Sequence, residues 1–299
     1  MVELMLAMVL TLMVGAVTYR ILVTNQRLTR SQSEHVSMQD NVRSGALIIG
    51  SELREVGYDR LPNPLNPVLN LLGAAGSVRS DIVAIGPDSV RYKAMRGFGV
   101  VCNLNTASSQ LVLRDALLQS VRPIAVGDSM LLYAESSPGI SADDAWLHVG
   151  ITGLPGAQNC PDGSAGTRVN VAFTNGILAA AVFPLMTVGA PVRFFEEMVL
   201  RSYVSGGDAW LGVRNLKTGT AIQPVLGPIA NGAASPEGLG LVYRDANGVT
   251  TNVPASVRSV EITLRGITDN PVHRNGQGYA RIVDTLAMTT HVALRNALR

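Results

Sequence analysis

The first 23 residues, MVELMLAMVLTLMVGAVTYRILV, hold one acid, Glu3, and then sixteen residues without a charge before Arg20. A carboxylate at the lip of so apolar a helix is costly in a bilayer, and acids kept in such places have partners. The run from Leu4 to Tyr19 covers roughly 24 Å as a helix, short of the roughly 30 Å of hydrocarbon in a membrane. Extension to Val23 reaches roughly 30 Å and takes in Arg20, whose long stem can snorkel to the interface. The basic residues Arg20, Arg27 and Arg30 follow the span and none precedes it. Positive charges flanking a span stay in the cytoplasm, so the literal reading puts the body of the chain there. A basic leader ahead of Met1 reverses that topology, and on this ground the sequence is expected to be truncated at its N-terminus or to begin at an internal methionine.

All fifteen prolines lie between Pro62 and Pro271, and only Gly15, Gly45 and Gly50 interrupt Leu4 to Val56. One helix of about 55 residues, roughly 80 Å long, is therefore expected. Beyond Val23 it turns amphipathic, with Leu28, Val36, Val42, Ala46, Ile49, Leu53 and Val56 at helical spacings. Gly57 suits a left-handed cap, and LPNPLNPVLN ends the helix. From about residue 80 short β-branched runs alternate with Gly, Asp, Asn and Pro turns. Strands are expected at Asp81–Ile85, Ser89–Met95, Gln110–Arg114, Ser129–Tyr133 and Trp146–Thr152. Five more are expected at Val169–Phe173, Pro191–Tyr203, Ala209–Arg214, Gly240–Tyr243 and Val257–Leu264. YRDANGVTTNV carries a hairpin signal, and Tyr279–Leu298 reads as a last helix or strand. The fold class is α+β: a long helix whose amphipathic half packs on a β-rich antiparallel head. Residues 1–23 form the membrane segment, 24–58 the amphipathic continuation and 59–299 the head.

With these residues in place, MVELMLAMVL resembles the mature start of type IV pilins and type II secretion pseudopilins. Met1-Val2 matches the apolar pair that precedes the family glutamate, and Glu3 matches that glutamate. The stretch MQDNVRSGALIIGSELREVGYD is similar to the run in PilW-type minor pilins that closes on Arg-x-x-Gly-Tyr, with Arg54, Gly57 and Tyr58 at those positions. Ser44 stands where a phenylalanine is common in the family. VGDSMLLYAE, the Asp-Ala-Asn-Gly hairpin region and the closing HVALRNALR resemble later family stretches, in order. The resemblance implies an ectodomain outside the cytoplasm, on a single-pass anchor in the bacterial inner membrane. It implies leader cleavage and N-methylation by a prepilin peptidase, and work with other minor pilins, the major pilin and an inner-membrane assembly platform. The function expected is that of a minor pilin in priming or capping a type IV pilus. A J-type pseudopilin of a type II secretion system is the nearest alternative, a tip adhesin or DNA receptor the next, and a plain anchored ectodomain the last.

Under that resemblance Glu3 pairs with the N-terminal amine of an adjacent subunit; without it, Glu3 is an interfacial acid favoured by the helix dipole. Thr11, Gly15 and Thr18 can allow close helix approach, or are ordinary membrane-helix composition. Cys102 and Cys160 suit a disulfide in an exported chain, or two buried thiols. Asp143, Asp144 and Asp162 lack the fixed spacing of a calcium loop and read as solvated acids. His35, His148, His273 and His291 are scattered, and no H-E-x-x-H, G-x-S-x-G or P-loop pattern occurs, so neither catalysis, metal nor cofactor is expected. Trp146 and Trp210 read as strand-face residues rather than a sugar platform. The net charge of +2 with 5% aromatics gives no stripe for nucleic acid. Arginine outnumbers lysine 22 to 2, with Lys93 and Lys217 the only lysines; this reads as genome composition.

Overall fold

The computed structural model describes residues 2–56, 81–105, 107–135, 145–173, 186–231, 238–270, 272–273 and 281–294. The helix forms without interruption as α1 (Val2–Glu55), 54 residues long, which is about 81 Å at 1.5 Å per residue. Its closing turn is marked by the Val56 amide bonding to Leu53 O at 3.3 Å. Continuous burial starts late. Met38, Val42, Ala46, Ile49, Leu53 and Val56 are buried, at helical steps of three or four that put them on one face. Leu28 and Val36, expected on that face, are 55% and 57% exposed: Leu28 precedes Glu34, which bonds to Asn270 of the head, and Val36 lies about 160° round the axis from Met38.

The strands begin with β1 (Ile82–Ile85), β2 (Ser89–Asn105), β3 (Gln110–Arg114), β4 (Gln119–Ser120) and β5 (Ser129–Ala134). β6 (Ala145–Ala157), β7 (Gly166–Phe173), β8 (Pro191–Ser205), β9 (Asp208–Asn215) and β10 (Gln223–Ile229) follow. The last are β11 (Leu239–Arg244), β12 (Ser259–Ile267), β13 (Val272–His273), β14 (Arg281–Ile282) and β15 (Thr285–Ala293). Thirteen join one antiparallel network, and β13 and β14 pair separately. The α+β expectation holds, with one long apolar helix and a large antiparallel sheet.

The network has two parts that share β2 and β8. In the first, α1 packs on β15, β12, β10 and β2, over a core that includes Ile49, Leu53, Tyr92, Leu200, Val260 and Leu264. The approach is close: a Cβ on Gly45 would collide with Leu226, and one on Gly266 would press against Val42. The second part is a closed ring. β2 pairs with β3, β3 with β7, β7 with β6, β6 with β5, β5 with β8, and β8 again with β2. This six-stranded barrel holds a core of its own, including Leu113, Met130, Leu132, Val149, Val169 and Val192.

The sharing follows from strand length. β2 and β8 pair from Ser89↔Arg201 to Val100↔Pro191. The other edge of β8 meets β5 at Val192–Phe195 and then β9 at Met198–Ser205. The two parts therefore diverge at Glu196 and Glu197, which pair with Ala94 and Lys93 just before a bulge in β2 between Met95 and Gly97. β2 runs on past the expected end at Met95 because Gly97 and Gly99 do not break it. At Gly97 the missing side chain makes room for β4, where a Cβ would lie 2.6 Å from Gln119 O. β10 was not expected from QPVLGPI, whose prolines and glycine argue against a strand; it pairs with β9 through two register shifts. The Asp-Ala-Asn-Gly turn is tight, with Gly248 at φ +76° and a single bridge from Arg244 to Thr250. The terminal segment is a strand, β15, over its described part.

Candidate functional site

The bare half of α1 is the first candidate. An 18-residue window here has mean hydropathy 2.0 and none of it is buried by the head. The helix is long and apolar enough to cross a membrane. Contiguous apolar surface of this extent marks contact with lipid or protein. Thr11 and Thr18 turn their hydroxyls inward, donating to Ala7 O at 2.5 Å and Val14 O at 2.8 Å. That removes their polarity from the outer surface. A Cβ on Gly15 would meet nothing within 4 Å, so the room there faces outward. At about 100° per residue, Thr11, Gly15 and Thr18 fall within about 60° of one another, and Glu3 lies about 60–120° round the axis from them. Glu3 and the small-residue stripe thus flank adjacent faces rather than one face. Past Val23 the helix is polar for about 15 Å apart from Leu28, the pattern of a solvent-bridging stalk.

Polar ties fasten the docked half. Glu34 accepts from the Asn270 amide at 3.2 Å and its side chain at 2.8 Å. His35 Nε2 lies 3.6 Å from Asp284. Glu52 accepts from the Tyr92 hydroxyl at 3.1 Å and from Arg96 at 3.3 Å. Arg54 is exposed in the last turn, where a cation suits the helix dipole. Gly57 and Tyr58, its partners in the resemblance, lie outside the described residues.

Glu52 also begins a chain of charges across the divergence of the two sheets. Arg96 bridges Glu52 and Glu196 at 3.3 and 3.7 Å. Arg122 holds Glu196 at 2.7 Å and grips both oxygens of Asp128 at 3.0 and 2.7 Å. Lys217 adds a further contact to Asp128 at 3.0 Å. Burial alone would push the Asp128 carboxyl up. Hydrogen bonds from Arg122, the Ala125 amide and Lys217 outweigh it and hold the group below the ordinary range. The same contacts hold the Arg122 proton more tightly than usual, chiefly through Asp128. Asp128 opens β5 in the VGDSMLLYAE stretch, beside Gly127 at φ +87°.

Next to this chain of charges opens a cleft of about 700 Å³. Ile82, Val83, Phe195, Leu216, Val253 and Pro254 give it an apolar wall. Arg91, Lys93 and Lys217 line it too, so both lysines of the chain meet there. Lys93 lies 5.2 Å above the Phe195 ring centroid and 3.9 Å from Asp81, with both charged side chains under 10% exposed. The sequence reading missed this cleft.

The remaining expected residues are dispersed. Cys102 of β2 and Cys160, between β6 and β7, are bonded and close a loop of 58 positions in the barrel. On the loop-entropy model such a bond contributes about 4 kcal/mol. Asp162 accepts from the Ser164 hydroxyl at 2.7 Å and amide at 3.0 Å and pairs with Arg114 at 2.6 Å. Those contacts lower its carboxyl to about 2, so it is an anchored acid rather than a freely solvated one. Asp143 and Asp144 lie outside the described residues. Among the described residues no three His, Cys, Asp or Glu side chains cluster as a metal site. His148 leans on Phe195, with ring centroids 5.0 Å apart, while His35, His273 and His291 stand on α1, β13 and β15. Trp146 packs edge-on to Tyr133 and beneath the Arg193 guanidinium, and Trp210 donates to Ser205 O at 3.3 Å. Both are half-buried strand residues.

Compared with protein-family models, with curated proteins and with solved structures, the chain matches none.

Proposed function

We propose that the chain is a minor pilin of the PilW type that helps prime or cap a type IV pilus. The observation that supports this reading is the division of α1. One half is bare and apolar, with Glu3 its one acid before the first arginine; the other is built into the head. In this reading the bare half rests in the inner membrane before assembly, with the head outside the cytoplasm. It then slides into a filament core among the helices of other minor pilins and the major pilin. A carboxylate buried in such a core costs several kcal/mol unless a cation meets it. The N-terminal amine of a neighbouring subunit supplies that cation, and the pair registers one subunit against the next. The chain is then a substrate of a prepilin peptidase and a client of the assembly platform, and itself catalyses no reaction.

The test compares Glu3→Ala with the unaltered chain, in membrane fractions and in sheared filaments. The expected variant inserts into the membrane in full amount and fails to support filament assembly. Filaments in normal number would overturn the proposal.

A further inference from the structure

We propose that the cleft beside the sheet divergence binds a small organic anion with an apolar body. The volume of about 700 Å³ lies within the roughly 300–1,000 Å³ of small-molecule sites. One wall is apolar, and the opposite charge is carried by Arg91, Lys93 and Lys217. Their placement matters more than their number. Among the described residues, the carboxylates that face the two lysines, Asp81 and Asp128, are not part of the lining, and Glu197 is the one acid that is. The described lining therefore offers three cations against one carboxylate. Glu197 is itself bound to Arg91 at 2.5 Å.

Lys93 is the sharpest element of the site. Its side chain is 8% exposed, yet the Asp81 oxygen stands 3.9 Å away, beyond hydrogen-bond contact. An ammonium has three donors, and a loosely paired one beside an open space favours a further acceptor. Phe195 and Leu216 in the lining supply apolar contact for the body of a ligand beside it. Lys217 approaches from the far side, from the turn after β9, with its side chain 28% exposed. A chain with 22 arginines places both of its lysines here. The ammonium is the compact point charge of the two cationic groups, which suits a single carboxylate or sulfonate in a confined space. An anion held between the two lysines, with an apolar body over Phe195 and Leu216, meets all these groups at once.

The scarcity of lysine also makes the test clean. Reductive methylation with ¹³C-formaldehyde of the full chain in a nonionic detergent labels Lys93, Lys217 and the terminal amine. It leaves the charges in place. The labelled chain is titrated with naphthoate and with neutral naphthalenemethanol. Both lysine resonances are expected to shift with naphthoate along one saturating curve. Binding of naphthalenemethanol is expected to be weaker by about tenfold or more, the worth of one charge-assisted contact. Lys217→Met, at the more exposed lysine, is expected to weaken naphthoate by a similar factor and leave the Lys93 resonance in its folded position. Lys93→Met is read alongside it through the Lys217 resonance. Unmoved resonances at millimolar naphthoate would overturn the proposal. So would equal binding of the neutral compound, or unchanged affinity in Lys217→Met. None of these readouts depends on filament assembly, so the filament proposal and this one fail separately.

Discussion

Asp128 shows how one carboxylate can hold two parts of a fold together. It closes the start of β5 through the Ala125 amide at 2.8 Å, and it ties Arg122 of its own β4–β5 connection to Lys217 of the turn after β9. Its folded value lies below the ordinary one, so the unfolded chain binds more protons at mildly acidic pH. Stability from this group is therefore present above about pH 4, the unfolded value, and is lost as the pH falls through the lower folded value. Asp128→Asn is expected to lower head stability at neutral pH by roughly 1.5–3 kcal/mol, the range for hydrogen bonds to charged groups. It is also expected to flatten the acid limb of the melting-temperature curve. Melting scans of both chains from neutral to acidic pH check this, and parallel curves would contradict it. Glu3 is the opposite case. No ion pair forms at it among the described residues, and in the proposed reading its cation is the amine of an adjacent subunit.

At the scale of elements, α1 divides by what each glycine faces. Gly45 sits where helix and sheet touch, against Leu226, while Gly15 faces open space. Gly45→Val is expected to destabilise the head by roughly 1–3 kcal/mol through overpacking. Gly15→Val is expected to leave head stability unchanged, and urea denaturation distinguishes the two. Much of this level was legible in the sequence, because it is local. The absence of proline announced the helix, and β-branched runs announced β3, β8, β9 and β11 close to their observed bounds. The barrel was not legible. Its closure depends on β2 and β8 each serving partners in both parts, and no period within a strand records which edges it will pair. The expected strand ends at Met95, whereas Gly97 and Gly99 let β2 pass on close to its neighbours. The cleft escaped for the same reason, since Lys93 and Lys217 meet only through the pairing of distant strands. The count of two lysines reads equally well as genome composition, and nothing local in the sequence joins them. That Glu3, Thr11, Gly15 and Thr18 share one helix was legible because neighbours on a helix are neighbours in sequence.

The whole molecule is a rod fixed in a two-part head. If about 30 Å of the rod lies in lipid up to Val23, the polar stretch beyond it holds the head roughly 15 Å from the surface. That spacing suits a subunit whose helix must leave the membrane lengthwise while the head stays folded. The head is tied to the rod by Ile49, Leu53 and Val56, all fully buried, so a pull on the helix reaches the sheet directly. In the proposed reading the bare half then exchanges lipid for other helices, with Thr11, Gly15 and Thr18 as the surface for close approach. Site-specific photocrosslinking from Gly15 in cells tests this exchange most directly. Crosslinks from Gly15 to the N-terminal helix of another filament subunit, recovered in sheared filaments, are the expected result. A chain that crosslinks only to lipid and stays wholly in the membrane fraction of filament-bearing cells would contradict it.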